Sequence, residues 1–369
     1  MIAIITDLHF GQKAFSKTVF QTQMSFFEDE FFPYLLKNNI KDVLCLGDMV
    51  HNRNTIDLWI LQELKRKFFK WFNDNNIELH CLVGNHDSYF KSTIETNFLT
   101  ENVSEFECIK VYDKPCLKQI GKYIFHLVPW LVSEHDFKPE KADLCCGHFD
   151  IVGMPMLKNI YSTEGLTTNL FSNYKYVLSG HYHIKSQKEN VIYVGTQYQL
   201  SWADYNEDKG FYVLDDKFKL KFIENKTTPK FVKVWYSESA DDGVKLKVTG
   251  LSGKAEDITP KEAIKIAKHN YVKLITDKIL NQSELDNIYN SMLLVSFNNY
   301  KIEIINSNEI IESFDFEDIE SDLENETDLF ETISAYICGI NYEESIDKDK
   351  LLNIIKELYK ESIETVNDI

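Results

Sequence analysis

Ten side chains in the first half of the chain offer carboxylate, amide oxygen and imidazole without a thiolate: Asp7, His9, Asp48, His51, Asn85, His86, Asp87, His148, His181 and His183. That mixture is a ligand set for Mn²⁺, Fe or Zn²⁺. The groups follow short apolar runs, as Asn85, His86 and Asp87 follow Glu78-Leu-His-Cys-Leu-Val83 and Gly84, and the ends of strands are where α/β folds keep their active sites. Taken alone, Gly84-Asn-His-Asp87 reads equally well as a polar turn satisfying backbone groups, and a single histidine is more often structural. Five successive strand ends finishing in Asp, Asn or His are harder to dismiss. Asp48 stands alone among the carboxylates in the middle of the set, which suits a bridge between two ions. Two ions about 3.5 to 4 Å apart clamp a phosphate and acidify water, the chemistry of phosphoryl transfer. A proton donor for the leaving oxygen is then needed, and His86 with Asp87 beside it, or His51, can supply it.

The elements that must position these groups follow from periodicity. Buried strands are expected at Ile2–Ile5, Val43–Leu46 and Glu78–Val83. Asp7 and His9, two apart, would share a side if strand geometry continues through them. Helices are expected over Gln21–Asn38, interrupted at Pro33, and over Asp57–Asn73, with Asp57 in the first turn. Further strands are read at Cys108–Tyr112, Tyr123–Val128, Asp143–Cys146, Tyr176–Leu178 and Val191–Val194, with a hairpin of Gly210–Leu214 and Phe218–Ile223. Strand and helix alternate first and strands dominate later, which predicts a layered α/β sandwich.

A boundary is expected at Glu224–Pro229, followed by a small α+β domain. Its strands are read at Phe231–Tyr236, Val244–Val248, Met292–Phe297 and Tyr300–Ile305, around a helix over Pro260–Thr276 that carries Lys261, Lys265, Lys268 and Lys273. Such a lysine row is a solvated face or a phosphate-contacting one. Ser307–Asp328 holds ten acidic residues and no lysine or arginine, and reads as a flexible linker. Beyond it, Leu329–Ile337 and Lys348–Ser362 are helical patterns, the second with Leu351, Leu352, Ile355, Leu358 and Tyr359 on one face. A helical pair this short cannot bury that face alone, and docking on a partner is preferred to packing on the parent domain.

With 369 residues, 44% of them hydrophobic, including 25 Phe and 19 Tyr, the chain can bury a large core and exceeds the usual single domain. Its net charge of −18 and pI near 5.0 lack the basic footprint of a nucleic-acid binder, although the acidic linker carries more than half of the excess and bound metal supplies positive charge locally. The seven cysteines form no C-x-x-C pair, which fits a reducing cytoplasm. The sequence begins without a basic region and cleavage site, and no run of about 18 apolar residues occurs, so neither secretion nor a membrane span is expected.

In order, D-x-H (Asp7, His9), G-D-x-x-H (Asp48, His51), G-N-H-D (Asn85 to Asp87), a later G-H (His148) and G-H-x-H (His181, His183) resemble the calcineurin-like metallophosphoesterases. His51-Asn-Arg53 and Asp87 depart from the protein-phosphatase branch and look like the SbcD-type nuclease subunit of double-strand-break repair complexes. Val111–Pro115, Val128-Pro-Trp130, Ser179–His183, Asn190–Thr196 and Lys209-Gly-Phe211 resemble the recombination endonuclease subunit of T-even-like phages.

The resemblance implies a metallophosphoesterase sandwich of two mixed β-sheets flanked by helices over residues 1–228, a DNA-contacting cap over 229–306, the linker 307–328, and a terminal helical pair over 329–369 that grips an SbcC-type ATPase. It further implies one ion held by Asp7, His9, Asp48 and His183 and a second held by Asp48, Asn85, His148 and His181. His86 would protonate the leaving group with Asp87 orienting it, and His51 would contact the phosphate or support the site. The implied activity is Mn²⁺-dependent DNA cleavage, 3′-to-5′ on duplex ends and endonucleolytic on single strands, in the cytoplasm of a bacterial or phage-infected cell. A homodimer is expected. The alternatives are a small-molecule phosphodiesterase or nucleotide hydrolase on the same scaffold, and a non-catalytic scaffold stabilised by metal.

Overall fold

The computed structural model describes residues 1–131, 133–158, 160–239, 243–251, 254–276, 283 and 302–306. The chain divides into two compact units, residues 1–157 with 161–311 and residues 158–160 with 312–369, and every element below belongs to the first. The expected linker 307–328, the helical pair 329–369 and the strand Met292–Phe297 lie outside the described residues.

Ile2–Ile5 is apolar throughout because it is covered on both faces. Ala3 and Ile5 point to a layer of helices, whereas Ile2 and Ile4 point to a second sheet. This strand pairs in parallel with Asp42–Cys45, which is followed by Glu78–Leu82 and Ile109–Tyr112, also parallel. On its other side it pairs antiparallel with Gly210–Leu214, whose hairpin partner Leu220–Glu224 closes the six-stranded sheet. The parallel strands therefore all end on one side, where the loops carrying Asp7, Asp48 and Asn85 begin.

Two long helices cover the outer face. Each contains a π turn, Phe27–Phe31 between Lys17–Phe26 and Phe32–Lys37, and Leu64–Phe69 between Leu58–Glu63 and Lys70–Asp74. Contrary to the expectation from sequence, Pro33 does not interrupt the first. It follows the π turn, in the first turn of Phe32–Lys37, where a missing amide donor costs least. Asp57 sits one step earlier than expected, as the N-cap, accepting from the Trp59 and Ile60 amides at 2.9 and 3.1 Å. Phe20, Phe26, Phe27, Phe31, Phe68, Phe69 and Phe72 are fully buried beneath these helices, each contributing on the order of 2 kcal/mol by apolar burial.

The second sheet runs Ser186–Lys188, Val191–Tyr193, Tyr176–Gly180, Leu144–His148, Tyr123–Val128, Cys116–Ile120. Its four central strands are parallel and its two edges antiparallel. Leu127, Leu144, Cys146 and Leu178 meet Ile4, Leu44 and Leu82 between the sheets. Its outer face is covered by Phe137, Phe149, Ile151 and Phe171, which come from irregular segments and 3-10 turns. Of these two sheets, only the first is flanked by helices among the described residues, because the connections over the second lack a 3.6-residue apolar period. Cys116–Ile120 and Ser186–Lys188 were not expected as strands; both are short, polar edge strands of the kind that escape pattern reading.

A third, five-stranded sheet is ordered Glu256–Ile258, Gly243–Thr249, Phe231–Ser239, Tyr271–Thr276, Ile302–Asn306. The helix expected over Pro260–Thr276 stops at Ala267, and Tyr271–Thr276 is a strand parallel to Phe231–Tyr236. Asn270 makes the break: its amide donates to the Ile266 carbonyl at 2.9 Å while its oxygen accepts from the Lys230 amide at 2.9 Å. Val272 and Ile275 then favour the pleated geometry. Lys273 is consequently not on the lysine-bearing face. It is buried, with its ammonium 4.5 Å from the centre of the Trp202 ring, whereas Lys261, Lys265 and Lys268 are exposed on the helix. No helix among the described residues is long and apolar enough to cross a membrane.

Candidate metal centre

The loops leaving the first two strands run side by side. The Asp7 amide donates to the Gly47 carbonyl at 3.0 Å, His9 to Asp48 at 3.1 Å, Phe10 to Met49 at 3.0 Å, and His51 back to Phe10 at 3.0 Å. Asp7 and His9 do not continue strand geometry as expected. With φ of 50° and 46° they are left-handed, as are Asp48 at 55° and His181 at 88°. Such backbone costs energy in non-glycine residues and persists where its surroundings hold it. Here Gln23 Nε2 donates to the Leu8 and His9 carbonyls at 3.0 and 3.1 Å, and the Tyr198 hydroxyl donates to Leu8 at 2.6 Å. The turn brings His9 into the cleft rather than onto the sheet.

The donors converge around Asp48. Its Oδ2 lies 3.3 Å from His148 Nε2 and 3.8 Å from His9 Nε2, and its Oδ1 accepts from the His86 amide at 2.9 Å. On one side, His148 Nε2 is 2.7 Å from Asn85 Oδ1, while His148 Nδ1 sits 2.8 Å from the Leu46 carbonyl, a contact that directs Nε2 into the cleft. On the other, His9 Nε2 lies 2.9 Å from His183 Nε2 and 4.0 Å from Asp7 Oδ1. Donors mutually within 4.8 Å form the groups Asp7/His9/His183, Asp7/Asp48/His148 and His9/His51/His86. His181 belongs to none of these groups, but its amide donates to Asp7 at 3.0 Å and its ring centre is 5.3 Å from that of His148.

His86 and Asp87 part company. His86 Nδ1 is 2.6 Å from the His51 carbonyl, and its ring stacks on His51 with centres 5.7 Å apart. The Asp87 carboxylate turns the other way, accepting from the Met49 amide at 2.8 Å, Val50 at 3.2 Å and Gly84 at 2.9 Å. Asp87 therefore does not orient His86, as expected, but ties the loop after the second strand to the loop after the third. The His51 carbonyl is the group that fixes the His86 ring.

Four supporting residues were not singled out as functional from the sequence. Thr6 Oγ1 donates to Asp7 at 2.6 Å. Lys209 Nζ donates to the His183 carbonyl at 2.8 Å and pairs with the buried Asp204. Trp130 stands 5.1 Å from the His181 ring, and its amide donates to Val83 at 2.8 Å. Gly84 approaches Asp48 so closely that a Cβ there would strike the Asp48 carboxylate and amide. Gly84, Trp130 and Lys209 stand within the sequence motifs; a hydroxyl beside Asp7 leaves no sequence signal of its own.

Charge is badly balanced in this cluster without cations. Burial raises Asp7 to about 7, a rise helped by Asp48 and opposed by His148, and burial with Asp48 nearby raises Asp87 to about 7. Burial opposes ionisation of Asp48 too, yet His148, His86 and His9 hold it well below the usual range. His148 is held up at about 9 by Asp48 and Asp7 against its burial. Burial keeps His9 well below its ordinary value, His51 at about 4 and His183 at about 3, so their imidazoles are neutral, the form that ligates metal. Buried carboxylates beside neutral imidazoles and an amide oxygen fit divalent cations.

A pH dependence follows. Asp7, Asp87 and His148 have folded pKa values above their unfolded ones, so each stabilises the metal-free fold at low pH and loses that contribution as pH rises through about 7 and about 9. His148 brings a loss on the order of a few kcal/mol between pH 6.5 and 9 in the metal-free chain, the two carboxyls having lost most of theirs below about pH 7, and divalent metal should flatten the loss. Thermal melts across that range with chelator or with Mn²⁺ check this; equal slopes in both would contradict it.

The family described as calcineurin-like phosphoesterase matches residues 1–185. Exonuclease subunit 1 of Enterobacteria phage T4 is 28% identical over 370 residues, covering 96% of this chain and 97% of that one. The DNA double-strand break repair protein Mre11 of Nanoarchaeum equitans is 24% identical over 249 residues, 59% of this chain and 66% of that one. The crystal structure of Pseudomonas putida nuclease MPE is similar over 70% of this chain and 87% of that one, with 14% identity and a TM-score of 0.28.

Proposed function

From the premise that the chain belongs to the calcineurin-like phosphoesterase family, we propose that it is the nuclease subunit of a two-component DNA recombination or repair complex. On this reading Asp7, His9, Asp48 and His183 hold one divalent ion, and Asp48, Asn85, His148 and His181 a second. The observation that carries it is Asp48 Oδ2, placed 3.3 Å from His148 Nε2 and 3.8 Å from His9 Nε2, between the two donor sets. Bound ions, with Mn²⁺ as the preferred metal, would neutralise a phosphodiester and acidify water.

The chain's own residues do the rest. His51 and His86, half-buried beside His9, face the cleft where a phosphate would lie. His86, its Nδ1 held by the His51 carbonyl, keeps Nε2 for protonating the leaving oxygen. DNA as substrate is supported by relatives named as an exonuclease subunit and a double-strand break repair protein. Residues 229–306 are proposed as a cap that contacts DNA, and residues 329–369 as the segment that grips an SbcC-type ATPase across the linker 307–328.

Purified chain is expected to shorten end-labelled duplex from its 3′ ends and to nick single strands with Mn²⁺, more weakly with Mg²⁺, and faster with the ATPase. Faster turnover of cyclic nucleotides than of DNA under the same conditions would replace this reading with a small-molecule phosphodiesterase.

A further inference from the structure

At the opposite end of the same two strands stands a second group of metal-type donors, Asp42, Glu78 and His80, mutually within 4.8 Å. Asp42 and Glu78 begin adjacent parallel strands and are directly paired, and His80 follows on the same face as Glu78. Asp48 lies six positions after Asp42, so the group lies about 20 Å from the catalytic cleft by strand rise.

The imidazole is the informative member. His80 is 1% exposed, and its Nε2 is buried without a hydrogen-bond partner. That nitrogen faces Glu78 Oε2 at 3.5 Å and Asp42 Oδ1 at 3.6 Å, while Nδ1 is held 2.9 Å from the Tyr112 hydroxyl. A proton bridging imidazole and carboxylate would draw them to about 2.8 Å. Two ligands around one ion, each at about 2.1 Å in tetrahedral arrangement, stand about 3.4 Å apart, which is close to the spacing seen.

The remaining features agree. In the tautomer whose Nδ1–H donates to the Tyr112 hydroxyl, Nε2 carries a lone pair aimed between the carboxylates, the arrangement of a metal-bound histidine and its outer hydrogen-bond partner. The one lysine that pairs alongside His80, Lys110, gives its ammonium to the Glu107 carbonyl at 2.7 Å. No lysine or arginine pairs with Asp42 or Glu78 among the described residues. The side chains of Asp42 and Glu78 are 27% and 49% exposed, which opens a path for an ion and leaves a position for water.

We propose that Asp42, Glu78 and His80 form a second, non-catalytic site for a first-row divalent transition ion, Zn²⁺ in preference to Mn²⁺, that fastens together the starts of the two strands whose ends present Asp48 and Asn85. One imidazole with two carboxylates suits zinc, and the Irving–Williams order places zinc above manganese at such a site. The inference does not depend on the substrate proposed above.

The test is zinc stoichiometry of the full chain by equilibrium dialysis and elemental analysis, for the unaltered protein, His80→Gln and Glu78→Gln. The unaltered chain is expected to hold one more zinc than either variant and to gain a larger zinc-dependent rise in melting temperature than either. Equal stoichiometry in all three overturns the site and leaves a buried histidine beside two acids with no ion between them. Glu78→Gln, on a half-exposed side chain, keeps the comparison decisive should His80→Gln not fold.

Discussion

Asp48→Asn is expected to lower phosphodiester hydrolysis at least about 10³-fold and to weaken metal binding at both proposed ion positions. The substitution is nearly isosteric, and Asn adopts the left-handed backbone that Asp48 holds at φ 55°, so the fold should persist. What changes is the charge and the atom facing the histidines. An amide nitrogen turned toward His148 and His9 removes the anion that stands 3.3 and 3.8 Å from them. His86→Gln offers the contrast: both ions should stay bound, since the His86 ring is held at the His51 carbonyl, while kcat falls by about 10² to 10⁴. Calorimetric Mn²⁺ titration beside a DNA-cleavage assay separates the two. Unimpaired Asp48→Asn cleavage would sink the bridging role, and joint loss of metal and rate in His86→Gln would move that histidine among the ligands.

The second large effect is expected from a single methyl group. Gly84→Ala places a Cβ against the Asp48 carboxylate and its backbone amide. Neither can retreat: the Asp48 carbonyl bonds His9, and its carboxylate accepts from His86. Gly47, at φ 112°, is hemmed in by the His148 ring and Gly84 itself, so the loops interlock at van der Waals distance. The cost should be about 3 kcal/mol or more, seen as a fall in melting temperature of many degrees and loss of the metal-induced stabilisation. A Gly84→Ala protein that melts within a degree of the parent and binds metal normally would show that the loops are not held this tightly.

Much of the sandwich was legible because strands covered on both faces must be apolar throughout, and Ile2–Ile5 and the run before Asn85 are. The donor residues were legible because polar groups at such strand ends are conspicuous. Their division of labour was less so. Asp87 beside His86 in sequence suggested a pair, but successive residues in a turn point apart, and only the fold shows Asp87 spent on three backbone amides. The break at Asn270 was missed for a related reason: Tyr271–Thr276 is too short to distinguish a buried strand from a helix by period alone. Its parallel partner, Phe231–Tyr236, lies forty residues away.

The position of Gly210–Leu214 has a consequence for how the molecule comes into being. This strand pairs with Ile2–Ile4, and Lys209 just before it holds the His183 carbonyl. During synthesis the first strand of the chain must therefore wait for a neighbour more than two hundred residues behind it. Until residues near 225 have left the ribosome, its edge stays open and His183 unsupported, so catalytic competence arrives late and all at once. A half-made chain would therefore lack a complete metal centre.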